Sequence, residues 1–154
     1  MAVLFFEIEH MSKFNIQVGS WDALKNDAMR IRSAVFIQEQ NIPAQDEWDE
    51  QDAISLHFII YAISTDSKSA IATARLLPNN GIGRVAVLKE YRGQGIGRLI
   101  MQKVIEQAKV EKREWLKLSS QVHAIRFYES LGFHLEGTEY LDCGIPHIGM
   151  MMTL

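Results

Sequence analysis

The sequence predicts an α+β fold in one domain, with a mixed, mostly antiparallel sheet flanked by helices on both faces. Apolar segments at residues 56–63, 70–77 and 82–87 follow one another too closely to be joined by helices, so these three strands must be antiparallel. A strand beginning at Trp115 comes after a helical pattern and should lie parallel to the strand before that helix. A chain of 154 residues with 47% hydrophobic content can bury one core.

The first elements along the chain are an extension, a strand and a helix. We predict that residues 1–11 form an N-terminal extension ahead of a domain at 12–154. The apolar run in this extension is too short to span a bilayer and lacks the basic start and cleavage site of a signal peptide. An extra edge strand is the alternative. A strand is predicted at 14–18, and Ser20 can cap the helix that follows. That helix has one apolar face, formed by Leu24, Ala28, Ile31 and Val35.

An acidic segment at residues 46–52 places five carboxylates around one tryptophan, Trp48. Such a charge run commonly forms a solvated loop, which Trp48 would anchor. In the other interpretation it is one wall of a substrate site. Carboxylates such as Asp49 would then attract a protonated amine, and Trp48 would pack against it. The sequence leaves both interpretations open.

A basic, glycine-rich turn joins the strand at 82–87 to the next helix. Three glycines stand where that helix begins, with two arginines beside them: Gly93, Gly95, Gly97, Arg92 and Arg98. The first backbone N–H groups of a helix lack partners and lie at the positive end of its dipole, so this turn favours a phosphate or pyrophosphate. The turn lacks both the Gly-Lys-Ser/Thr ending of a P-loop and the spacing of a Rossmann fingerprint.

Two signatures resemble those of the GNAT (GCN5-related) N-acetyltransferase superfamily. Arg92-x-x-Gly95-x-Gly97 is similar to the family's acetyl-CoA loop, and Ala-Ile-Arg-Phe-Tyr-Glu-Ser-Leu-Gly-Phe at 124–133 is similar to its second signature. They occur in the family's order, and the likeness covers nearly the whole chain. Three stretches are similar to an uncharacterised bacterial branch: Val35-Phe36-x-x-Glu39-Gln40, the acidic segment, and Gly-Ile-Pro-His at 144–147. The resemblance implies a single GNAT-type domain that transfers an acetyl group from acetyl-CoA to a primary amine of a small molecule.

The resemblance also implies which residues bind acetyl-CoA. Pantetheine contacts would come from Val85 and Val87, and from Gln121, which replaces an asparagine common in the family. The pyrophosphate would lie against Arg92, Gly93, Gln94, Gly95, Ile96, Gly97 and Arg98. Tyr128 corresponds to the tyrosine that faces the CoA sulfur, and a phenol with an ordinary pKa of about 10 would be the general acid for the thiolate. No metal is expected.

The amine acceptor and the general base are less well defined by the sequence. We assign acceptor binding to Glu39, Trp48, Asp49 and His57. The base could be Glu39, His57, His147 or a carboxylate of the acidic segment, or a relay of waters that leads to a carboxylate. Two alternative functions remain. One is a non-catalytic acyl-CoA-binding sensor, and the other is an acyltransferase resembling acyl-homoserine-lactone synthases, which use an acyl carrier protein.

Composition limits the other partners of the chain. A net charge of −3 argues against nucleic-acid binding, and no apolar stretch is long enough for a membrane anchor. The single cysteine, Cys143, excludes an internal disulfide and suits a cytoplasmic location. The apolar final strands, predicted at 134–140 and 148–153, could pair across a homodimer.

Overall fold

One seven-stranded sheet organises residues 13–154, the part of the chain that this computed structural model describes. Its strands are β1 (Phe14–Gly19), β2 (Leu56–Ile63), β3 (Lys68–Leu76), β4 (Gly81–Val87), β5 (Trp115–Gln121), β6 (His134–Asp142) and β7 (Ile145–Thr153). They lie in the order β1-β2-β3-β4-β5-β7-β6, and neighbours are antiparallel except for β4 and β5. The mixed, mostly antiparallel sheet is confirmed, including the parallel strand at Trp115. The extension predicted at 1–11 lies outside the described residues.

Helical segments join the strands of the sheet. They are α1 (Trp21–Arg32), a π-helical segment (Ser33–Glu39), α2 (Ala44–Glu47), α3 (Ile96–Val110), α4 (Ile125–Ser130), and 3₁₀ turns at Glu50–Ile54, Lys89–Tyr91 and Val122–Ala124. Ser20 caps α1 as predicted, because its Oγ accepts a hydrogen bond from the Ala23 backbone N–H at 3.3 Å. Among the described residues, no helix is long and apolar enough to cross a membrane.

Helices cover both faces of the sheet, as predicted. On one face α1 and the π-helical segment bury Leu24, Ala28, Ile31 and Val35. On the other face α3 buries Ile96, Ile100, Val104 and Ala108. Successive residues of a strand point to opposite faces, so Ile59 of β2 joins the first cluster while Phe58 and Ile60 join the second.

β4 pairs with β5 only through its first two residues, and the two strands then separate. The parallel register joins residues 81–82 of β4 to 117–118 of β5 and goes no further. The register between β3 and β4 shifts after Thr73, which marks a bulge in β4 where Arg84 adopts a φ of 51°. A bulge bends its strand and increases the local twist. The ends of β4 and β5 therefore diverge and leave a cleft between them.

The final hairpin is longer than the sequence predicted. β6 runs to Asp142 and β7 begins at Ile145, which leaves a turn of only two residues. Those residues, Cys143 and Gly144, have φ values of 49° and 75°. A type I′ turn requires positive φ at both positions, and its twist matches that of the two strands. The strands can therefore pair up to the turn.

Candidate active site

A cleft of about 1110 Å³ opens where β4 and β5 separate. Its walls come from the end of the π-helical segment, β4, the glycine loop, β5, α4 and the β6–β7 hairpin. The predicted site residues on these walls are Glu39, Val85, Val87, Arg92, Gly93, Gly95, Ile96, Gly97, Arg98, Gln121 and Tyr128. The remaining predicted residues, Trp48, Asp49, His57 and Gln94, do not line it.

The glycine loop leaves open space at the N-terminus of α3. Gly93 and Gly95 have φ values of 75° and 80°, which favour glycine, and a Cβ added to either would meet no atom within 4 Å. Gly95 is the N-cap of α3 and offers no side chain to bond the first N–H groups of the helix. Those donors therefore point to the space in front of the loop. An open, positively polarised helix end of this kind fits a diphosphate.

Arg92 is bound by Glu39, the last residue of the π-helical segment. Nη1 and Nη2 donate to the two carboxylate oxygens of Glu39 at 2.7 and 2.8 Å, and Nε donates to the Val87 carbonyl at 3.0 Å. Each nitrogen of this guanidinium therefore has a protein partner. The hydrogen bonds from Arg92 lower the pKa of Glu39 because they stabilise the charged carboxylate. Arg98 instead donates from Nη1 to Ser130 Oγ at 3.1 Å.

Gln121 stands at the end of β5 in a short chain of hydrogen bonds. Its Nε2 donates to Gln40 Oε1 at 2.9 Å, and His123 Nε2 lies 2.7 Å from its Oε1. The amide is therefore held at both ends, on the wall of the cleft that faces Val85 and Val87. Sequence analysis gave Gln40 no role in the site, because its partner is 81 residues away along the chain.

Tyr128 is half-buried on α4 and faces the cleft. Its ring packs edge-on against Phe127 and Phe133, with centroids 5.0 and 6.1 Å away. Burial raises the pKa of Tyr128 to about 12, because the phenolate would lose its hydration. The hydroxyl therefore keeps its proton at neutral pH.

The acidic segment is not a solvated loop, because most of its carboxylates belong to a buried ion network. The network joins Arg32, Arg75 and Arg84 to Glu47, Asp49 and Asp52. Asp52 accepts from both Arg32 and Arg75, each at 2.8 Å. Burial alone would raise the pKa of Asp49, but the hydrogen bonds and charge of Arg75 lower it overall. Burial raises the pKa of Glu47 against the opposing effect of its arginine partners.

His57 and Trp48 pack against this network rather than in the cleft. His57 is buried, with Nε2 2.9 Å from the Asp52 carbonyl and its ring 4.8 Å from that of Trp21. Burial lowers the pKa of His57. The guanidinium of Arg32 lies over the Trp48 ring, with its Cζ atom 5.0 Å from the ring centroid. The cation that Trp48 contacts is therefore one of the protein's own arginines.

The open end of the cleft is formed by the final hairpin. His147 Nδ1 lies 2.7 Å from the Ile145 carbonyl, which can only accept a hydrogen bond. The neutral ring must then carry its proton on Nδ1, which leaves Nε2 as an acceptor. Tyr140 stacks on this ring at 6.0 Å and shares a hydrogen bond with Ser119. Sequence analysis missed Tyr140 and Ser119, because only the strand register sets Tyr140 opposite His147 and Ser119 opposite Gly149.

Arg75 presents one unsatisfied donor beside the cleft. Its Nε is buried and has no hydrogen-bond partner within residues 13–154, and Arg75 contributes to the lining. A Cβ added to Gly83 would lie 3.8 Å from this nitrogen.

Within residues 13–154, no group of three or more His, Cys, Asp and Glu side chains could hold a metal ion.

Comparison with known proteins agrees with this architecture. Residues 26–154 match the family model for the acetyltransferase (GNAT) domain. The chain is 36% identical over 129 residues to the uncharacterized N-acetyltransferase YjcF of Bacillus subtilis, covering 81% of this chain and 89% of that protein. The crystal structure of Escherichia coli ElaA is 30% identical, with a TM-score of 0.76 over 90% of this chain and 99% of that one. An acyl-CoA N-acyltransferase from Pseudomonas aeruginosa is 28% identical, with a TM-score of 0.77 over the same shares, 90% and 99%. The chain therefore belongs to the GNAT family of acetyltransferases.

Proposed function

We propose that the protein transfers the acetyl group of acetyl-CoA to a primary amine of a small molecule. The observation that carries this proposal is that the glycine loop, the free end of β4 and Tyr128 all face one cleft. GNAT acetyltransferases generally use acetyl-CoA, so family membership supports the choice of cosubstrate. A cytoplasmic location, consistent with the single cysteine, is part of the same proposal.

Three parts of the cleft wall would hold acetyl-CoA. The backbone N–H groups between Gly93 and Gly97 would bind the diphosphate, with the charge of Arg98 beside them. Val85 and Val87 lie beyond the last pair that β4 forms with β5, so that edge of the strand is available to the pantetheine arm. Gln121, on the opposite wall, would contact the same arm.

The reaction itself joins the amine nitrogen to the acetyl carbon of the thioester while the C–S bond breaks and CoA leaves as a thiolate. Tyr128 would give its proton to that sulfur as general acid. Its raised pKa keeps the proton available at neutral pH.

The general base in this proposal is His147. A protonated amine must lose a proton before it can attack, and Nε2 of His147 is an acceptor on the cleft wall with no hydrogen-bond partner among residues 13–154. Two of the other named candidates are less suitable. Glu39 is paired with Arg92, and His57 is buried outside the cleft.

The amine would enter at the open end of the cleft. Asp46 and Asp142 line this end, and neither forms an ion pair within the described residues. By contrast, Glu47 and Asp49 are already neutralised by Arg84 and its neighbours. Free carboxylates favour a cationic acceptor. The acceptor site that we propose therefore excludes Trp48, Asp49 and His57 and retains Glu39 only at its margin.

Calorimetric titration with acetyl-CoA, CoA and ATP tests the cosubstrate, with Gly95→Glu as the matched control. The variant places a carboxylate where the diphosphate should lie. Binding of acetyl-CoA that is lost in Gly95→Glu and absent for ATP would support the assignment. Absence of acetyl-CoA binding to the wild-type protein would refute it.

Catalysis is tested by a screen of amines that measures thiol release, followed by Tyr128→Phe with the best acceptor. General acid catalysis contributes about 10²–10⁴-fold to a rate, so kcat should fall by that order while acetyl-CoA affinity is retained. Unchanged turnover in Tyr128→Phe would remove the tyrosine from the mechanism. Binding of acetyl-CoA without turnover of any amine would favour the sensor alternative.

A further inference from the structure

Two consecutive residues at the end of the π-helical segment contact opposite sides of the cleft. Glu39 pairs with Arg92, which follows β4, and Gln40 pairs with Gln121 at the end of β5. These are the two strands whose separation creates the cleft. We call residues 33–40 the strap, because they join its two sides.

The strap is anchored at its base and held by polar contacts at its tip. Val35 and Phe36 are buried with α1 in the core, at 4% and 8% exposure. The Gln40 N–H donates to the Val35 carbonyl at 3.2 Å, which is the wider spacing of a π-helix. Consecutive side chains of a helical turn point in different directions. Glu39 contacts Arg92 on one side of the cleft, and Gln40 contacts Gln121 on the other.

Arg92 is held toward the strap by three hydrogen bonds. Its Nε is bonded to the Val87 carbonyl, which places the guanidinium at the end of β4, and both Nη atoms are bonded to Glu39. A diphosphate at the N-terminus of α3 would meet the N–H groups of Gly93 to Gly97 instead. Sequence analysis assigned Arg92 to the pyrophosphate, and the geometry favours a different role.

We propose that Glu39 and Gln40 fasten the strap across the cleft, and that Arg92 is a positioning residue for the strap rather than a ligand of the diphosphate. Because the strap bonds to both walls, fastening it holds the walls at the separation that the pantetheine arm requires. Acetyl-CoA should therefore bind more tightly when the strap is fastened, that is, when Glu39 is bonded to Arg92 and Gln40 to Gln121. This coupling of strap contacts to acetyl-CoA affinity rests on the proposed function, whereas the contacts themselves do not.

A double-mutant cycle of Glu39→Gln and Arg92→Gln, read by calorimetric titration with acetyl-CoA, tests the coupling. Each single variant should weaken binding about three- to tenfold, and the double variant should be no weaker than the weaker single, since both remove one interaction. Arg98→Gln is the control, because its effect should multiply with that of Glu39→Gln. If Glu39→Gln leaves affinity unchanged or tightens it while Arg92→Gln weakens it, Arg92 contacts the diphosphate and the proposal is wrong.

Hydrogen exchange on the ligand-free protein tests the fastening separately. Amides of residues 33–42 should exchange faster in Glu39→Gln and Arg92→Gln, by similar factors, and Gln40→Leu should act in the same direction. Gln38→Ala, an exposed neighbour, should leave exchange unchanged. Exchange that none of these variants changes would refute the strap. Faster exchange in a protein that binds no acetyl-CoA would leave the strap in place and reject the proposed function.

Discussion

Replacing Arg32 with methionine tests the buried ion network at its most buried member. Arg32 is 1% exposed, and its Nε donates to Glu47 at 2.7 Å. Nη1 and Nη2 donate to the two oxygens of Asp52 at 2.8 and 3.2 Å. Methionine preserves much of the apolar stem but removes the charge and these donors. Two buried carboxylates would then lose one of their cations.

The expected loss of stability depends on which arginine partners Glu47 and Asp52 keep in this variant. Removing one partner of a buried ion pair costs about 3–5 kcal/mol. Glu47 keeps Arg84 at 3.0 Å, and Asp52 keeps Arg75 at 2.8 Å, so we expect the lower end of that range. About 3 kcal/mol is a large part of a total of about 5–15 kcal/mol. For a chain of this length it corresponds to a Tm lower by about 6–12 °C.

Urea unfolding followed by tryptophan fluorescence, together with a thermal melt, measures this loss. Arg126→Met is the control, because Arg126 is exposed on α4 and should tolerate the same replacement. A loss below about 1 kcal/mol, which is typical of an exposed ion pair, would refute the reasoning. It would mean that the carboxylates regain water or protons without disturbing the fold.

Three further predictions concern other parts of the structure. The free energy of unfolding should fall as pH drops below about 6.5. Burial lowers the pKa of His57 in the folded protein, so the imidazole takes up its proton first in the unfolded chain. Urea midpoints should therefore vary less with pH in His57→Gln. Gly149→Ala should cost about 1–3 kcal/mol in urea unfolding, because its Cβ would lie 2.9 Å from the Glu136 carbonyl oxygen. Gly83→Ala should cost less, since its Cβ has no contact closer than 3.8 Å. A high-resolution crystal structure should show a water or ligand atom bonded to Arg75 Nε, and an empty position there would contradict this expectation.

Local signals explain why much of the fold could be predicted from the sequence. The Ser20 cap and the apolar face of α1 depend on residues within a few positions of one another. The short spacing between β2, β3 and β4 likewise determines that they pair antiparallel. The open glycine loop is local too, since its conformation depends on Gly93 and Gly95 themselves.

The buried network could not be predicted in the same way. Its hydrogen bonds join residues 15 to 37 positions apart, such as Arg32 with Glu47 and Arg84 with Glu47. An acidic run has the same composition whether it is solvated or paired, so composition alone does not distinguish the two. The available signal was the arginines. Arg32 directly follows Ile31 on the apolar side of α1, and Arg75 lies in β3 directly after a run of apolar and small residues at 69–74.

The contrast between local signals and long-range contacts also separates the two halves of the cleft, which are the acetyl-CoA side and the open end. The residues proposed to bind acetyl-CoA lie mostly in one continuous segment, so they form a recognisable signature. The open end is assembled by strand register, which sets His147 of β7 between Gln121 of β5 and Tyr140 of β6. Its chemistry can therefore change without altering the signature. The strap contacts both halves, because Glu39 bonds to Arg92 beside the glycine loop and Gln40 bonds to Gln121, the register partner of His147. Substitutions there should alter acetyl-CoA affinity and the choice of acceptor together, whereas substitutions in the glycine loop should alter affinity alone.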